Sequence, residues 1–83
     1  MMDLNELGKI TTRWSNEVGK HITDTPPEAR FVTGSHKIDR QIYYFEKESG
    51  IVLDVSSEGG PNIIKGYEIV DEQKFAWFVL KWV

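Results

Sequence analysis

The chain has 83 residues, room for one domain with one hydrophobic core. Hydrophobic residues make up 40% and charged residues 28%, cysteine is absent, and the net charge is -3. These values exclude a disordered tail, a disulfide scaffold and any cysteine nucleophile or thiolate metal site, and they argue against general nucleic-acid binding.

No apolar run approaches the roughly 18 residues needed to cross a bilayer, so no membrane association is expected. The opening Met1-Met2-Asp3-Leu4-Asn5-Glu6 lacks the basic start and apolar stretch of a secretion signal, and a cytoplasmic location is expected.

The first element reads as an amphipathic helix over about residues 3–20. Leu4, Leu7, Ile10, Trp14, Val18 and Ile22 recur at spacings of three and four, which puts them on one face. Asp3, with Glu6 three residues later, forms an acidic capping pattern at its start. The helix must end before Pro26-Pro27, because proline pushes the residue before it out of helical geometry.

Beyond the prolines, residues rich in β-branched and aromatic side chains alternate with turn chemistry. Strands are expected at Ala29–Thr33, Gln41–Glu46, Ile51–Val55, Ile63–Val70 and Phe75–Val83. Turns are expected at Gly34-Ser35, Glu48-Ser49-Gly50, residues 56–61 with Gly60-Pro61, and Asp71-Glu72-Gln73. Short connections favour antiparallel neighbours. The expected fold is therefore α+β, one helix on a four- to five-stranded antiparallel meander, forming a single domain over residues 1–83.

The last segment, Phe75 to Val83, carries one charge among nine residues. It reads as a central strand buried on both faces or as a patch for a partner or a homodimer, and in so short a run a helix fits as well. With only one helix expected, its second face has no cover within the chain.

No phosphate loop, nucleophile elbow or metal-ligand spacing occurs, and no cofactor is expected. Metal-free acid–base chemistry is what the residues allow. RNA cleavage through the 2′-hydroxyl needs only a base, an acid and a cation, because the substrate supplies the nucleophile. Lys20-His21, at the expected helix end, offers an ammonium and an imidazole, although a cation there also serves the helix dipole without any chemistry. His36 sits in a turn-like Gly34-Ser35-His36-Lys37. Gly66, inside a strand pattern, suggests a bulge; beside it Lys65 could hold a phosphate and Tyr67 could stack on a base, or both could be ordinary strand residues.

The stretch from Lys20-His21 through Gly34-Ser35, Gln41-Ile42-Tyr43-Tyr44, Ser49-Gly50-Ile51-Val52 and Ile64-Lys65-Gly66-Tyr67 to Glu72-Gln73 resembles the colicin D-type tRNA-cleaving toxin domain. The resemblance implies a small metal-independent ribonuclease acting on or binding RNA, with tRNA as the substrate. It makes His21 the general acid or base and Lys20 the phosphate-stabilising cation, with Lys65, Gly66 and Tyr67 at the place of the family's late motif as the expected substrate-binding wall; His36 is added to the substrate-binding set from its own turn-like setting. Lys65 stands where the family has serine, Tyr67 where it has tryptophan, and Val18 where a further lysine would be expected.

A second class is a non-catalytic protein-binding module, such as an immunity protein or an inhibitor from a mobile element. Glu46, Glu48, Asp54 and Glu58 would then steer a basic protein partner onto one hairpin. A third is a homodimer formed through the C-terminal strand.

Overall fold

The computed structural model describes residues 2–56 and 63–82. Helix α1 spans Leu4–Glu17 and is followed by a 3₁₀ turn at Gly19–His21; helix α2 spans His36–Ser49. Strands β1 (Ile51–Ser56) and β2 (Ile63–Ile69) form an antiparallel pair, and helix α3 (Glu72–Trp82) ends the chain. The class is α+β, but the expected four- to five-stranded meander is replaced by three helices and a two-stranded sheet among the described residues.

α1 follows its sequence signals. The Asp3 carboxylate accepts the Glu6 amide at 2.8 Å, while Leu7, Ile10 and Trp14 are buried. Arrival at Val18 breaks the α geometry, and the tighter turn carries Lys20 and His21.

Three expected strands are not strands. Residues 41–46 lie inside α2, because two terminal signals and a period override the β preference of Tyr43, Tyr44 and Phe45. Ser35 caps the start by accepting the Ile38 amide, and Gly50 closes the end at φ 72°, a left-handed geometry suited to glycine. Between those caps, Ile38, Ile42, Phe45 and Ser49 repeat at three- and four-residue steps, with Phe45 and Ser49 buried, Ile42 packed against the core and Ile38 half-buried. Residues 75–82 lie in α3, whose start is capped by Asp71 accepting the Lys74 amide at 3.1 Å. Residues 29–33 form no regular element, and Phe31 there is 83% exposed.

The two remaining strands agree closely with the sequence reading. Ile51 and Leu53 point into the core while Val52 and Asp54 face out. Asp54 pairs with Gly66 and Val55 with Ile64, so Lys65 is the extra residue of a β-bulge, the irregularity that Gly66 suggests. The expected turn at Gly60-Pro61 lies outside the described residues, as does Glu58.

The core is mostly aromatic. Phe45 takes Trp14 and Phe78 edge-on, at 5.4 and 5.1 Å between ring centroids, and Phe78 leans on Trp82 at 6.2 Å. Leu7, Ile10, Ile51 and Leu53 complete it. Loop residues 22–35 are strapped to α2 by Arg40 to the Thr23 carbonyl, the Tyr44 hydroxyl to Asp24, Arg30 to Glu46, and the Thr33 amide and hydroxyl to Asp39. Among the described residues no helix is long and apolar enough to cross a membrane.

Candidate functional site

The residues singled out from sequence fall into two groups at different places. Lys20 and His21 follow Gly19, which is buried against Gln41 of α2 and the Trp14 ring. Both side chains are exposed, and neither makes a hydrogen bond or ion pair among the described residues. His36 opens α2, exposed, with its ring edge-on to Phe31 at 6.0 Å. Lys37 and Arg40 follow on the same half of α2, with Asp39 between them and the Arg40 guanidinium bound to the Thr23 carbonyl.

Tyr67 lies elsewhere. Its hydroxyl donates to the Met2 carbonyl at 2.7 Å, ahead of α1, and its ring stacks on Phe75. Lys20 and His21 come after α1, whose 14 residues span about 21 Å. The tyrosine hydroxyl and the Lys-His pair therefore occupy opposite ends of that helix and do not share one cleft. Tyr67 serves packing, with its polar tip satisfied by the backbone and one ring face taken by Phe75. The hollow at Gly66, about 330 Å³, is bordered by Val52, Leu53, Asp54, Tyr67 and Glu68. Its charged side chains are both acidic, the wrong sign for a phosphate.

The expected acidic hairpin surface is also changed. Glu46 accepts both the Arg30 guanidinium and the Leu53 amide at 2.6 Å, and Glu48 accepts the Trp14 indole N–H at 2.9 Å. These two carboxylates hold the fold together. Glu48 is nevertheless exposed and faces Lys81 at 4.0 Å, and Asp54 is turned outward with no such partner among the described residues.

Asp39 is the most buried carboxyl. Burial opposes its ionisation, but the Thr33 amide and hydroxyl, each at 2.8 Å, and the neighbouring Val32 and Gly34 amides outweigh that and hold its pKa below the ordinary 3.8. It anchors the loop turn to α2, a structural task. The Tyr44 hydroxyl is pushed up by its hydrogen bond to Asp24.

The C-terminal segment, expected as a strand buried on both faces or open to a partner, is instead helix α3 with one uncovered face. The helix places Phe75, Phe78 and Trp82 inward, with Phe78 and Trp82 buried. At about 100° per residue, Gln73, Ala76, Trp77 and Leu80 share the opposite side. All four are exposed, Trp77 by 69% and Leu80 by 77%. Lys74 is turned back onto the Lys47 carbonyl at 3.3 Å, which leaves this stripe uncharged between Glu72 at one end and Lys81 at the other. A helix that is apolar all round is ordinarily covered on every side.

Two features fix the helix in place. The Gly50 carbonyl accepts the amides of Val70 and Asp71 at 2.9 and 3.0 Å, and Arg13 donates to the Trp82 carbonyl at 3.0 Å. Comparison with protein-family models, characterised proteins and solved structures gave no match for this chain.

Proposed function

We propose that this chain is a non-catalytic protein-binding module that docks through the outward face of α3. One observation carries the reading: a rigidly anchored helix presents a tryptophan and a leucine to solvent with no charge between them. Large aromatic anchors ringed by small or polar residues are what concentrate binding energy at protein interfaces. The expected acidic steering surface contributes little, since Glu46 is bound by Arg30 and the Leu53 amide and Glu48 by the Trp14 indole and, at 4.0 Å, Lys81.

A second reading, RNA binding or cleavage, draws on the exposed Lys20 and His21 next to the part of α2 that bears His36, Lys37 and Arg40. A cation cluster of this size suits a phosphate backbone. The second wall once expected at Lys65, Gly66 and Tyr67 does not support it, because the Tyr67 hydroxyl lies beyond the far end of α1.

The test is position-specific photo-crosslinking. A benzoylphenylalanine at Trp77 or Leu80 is expected to give discrete adducts, and one at Asp54 or Glu68 on the open sheet face none. Absence of adducts from α3, or equal adducts from the sheet, overturns the docking reading. Cleavage of a tRNA pool by purified wild type, lost in His21→Ala, would move the ribonuclease reading to first place.

A further inference from the structure

We infer that residues 24–31 form an acid-released strap, freed from α2 when Asp24 and Glu46 take up protons while the core beneath keeps its fold. The inference is independent of the docking reading above.

Apolar packing does not hold this segment. The core and the side chains packed on it include Ile22 but no residue from 23 to 35, and Phe31 is turned to solvent. Opening then costs little beyond the polar bonds that close it. Between the anchored ends stand two such bonds. The Tyr44 hydroxyl donates to Asp24 at 3.0 Å, and Arg30 donates to Glu46 at 2.6 Å. Both acceptors are carboxylates, and protonation removes the charge that makes each a strong acceptor and ends the ion pair with Arg30.

The two ends behave differently. At one, Arg40 holds the Thr23 carbonyl, a bond with no group that titrates in acid. At the other, Asp39 holds the Thr33 amide and hydroxyl. Burial opposes its ionisation, but these bonds and the Val32 and Gly34 amides keep its pKa below 3.8, so it stays charged after an ordinary carboxylate is neutral. The strap therefore swings between two ends that stay fixed.

Few other titratable groups face it. From α2 they are Tyr43, Lys47 and His36, whose ring lies edge-on to Phe31 at 6.0 Å; from the strap itself there is Glu28. β1 faces it with Ile51, Val52 and the Leu53 amide, none of which titrates. His21 precedes it without a hydrogen bond or ion pair among the described residues.

Glu46 couples the release to the sheet. The oxygen that receives Arg30 also accepts the Leu53 amide at 2.6 Å, standing where a third strand would on β1. Release therefore opens the hollow of about 380 Å³ between strap, α2 and β1 and leaves a backbone donor on that edge unpaired.

Backbone ¹⁵N relaxation from pH 7 to pH 3.5 reads strap and core in one sample. Order parameters for residues 24–31, the prolines aside, are expected to fall from about 0.8 to below about 0.6, with Leu7, Ile10 and Phe45 unchanged. At pH 7 the double variant Asp24→Asn, Glu46→Gln removes both charges and is expected to show the same mobile strap over an ordered core. Asp54→Asn, on the outward face of β1, is expected to leave the strap as in wild type. A strap that stays ordered in the double variant overturns the inference, as does strap and core losing order in one step, in acid or in the variant. A midpoint at pH 6–7, where histidines titrate, or a strap loosened equally by Asp54→Asn, overturns it too.

Discussion

Trp77 and Phe78 are neighbours in sequence, and truncating each should have opposite consequences for stability. Phe78 is 4% exposed and packs against Phe45 at 5.1 Å and Trp82 at 6.2 Å. Phe78→Ala loses the transfer energy of a buried ring and leaves a cavity, together about 3–5 kcal/mol. Stability for a chain of this length is about 4–12 kcal/mol, so that one change removes a large share of it. Trp77→Ala removes a ring that is 69% exposed and outside the core cluster, and should fall within about 0.5 kcal/mol of wild type. Phe75→Ala discriminates further: a strand would put residues 75 and 77 on one face, whereas the helix puts Phe75 with Phe78. Urea unfolding followed by circular dichroism measures all three. A cost above about 1.5 kcal/mol for Trp77→Ala would refute the placement of α3 and the docking surface with it.

Gly50→Ala should cost about 2–4 kcal/mol, since φ is 72° and a Cβ there would lie 2.5 Å from the Asp71 carbonyl oxygen; chemical denaturation reads the loss. Asp39 has a lowered folded-state pKa, so its stabilisation is present above the ordinary value of 3.8 and disappears as pH falls through the folded value. Asp39→Asn should flatten that acid limb of the stability profile and, near neutral pH, lower stability by about 1.5–3 kcal/mol. Tyr67→Phe leaves the Met2 carbonyl without its donor and should cost about 1 kcal/mol, with faster amide exchange in the first turn of α1. His21→Ala should leave stability within about 0.5 kcal/mol, because the side chain is exposed and unbonded among the described residues.

α1 and the β1–β2 pair were readable in the sequence because each combines a clean period with end signals. α2 was misread for a definite reason. Tyr43-Tyr44-Phe45 carries strong strand preference, yet Ser35 and Gly50 are helix punctuation and Ile38, Ile42 and Phe45 keep helical spacing. Caps and period together outweighed local preference. The C-terminal segment was ambiguous because a nearly continuous apolar run carries no period, and only the Asp71 cap and the core's demand for Phe78 and Trp82 resolve it. That one side lacks cover was expected from sequence only on the premise of a single helix and a C-terminal strand, both of which the fold overturns. The carboxylates of Glu46 and Glu48 looked free in sequence because their partners, Arg30, Leu53 and Trp14, approach from other parts of the fold.

Because a single carbonyl, that of Gly50, holds both amides leading into α3, the helix cannot tilt without giving up backbone bonds at the corner of α2 and β1. A molecule arriving at Trp77 thus meets a surface whose orientation is already decided, and little ordering entropy is lost on contact. Variation at residue 50 would be felt first as a change in angle of presentation, some distance from any side chain that makes the encounter.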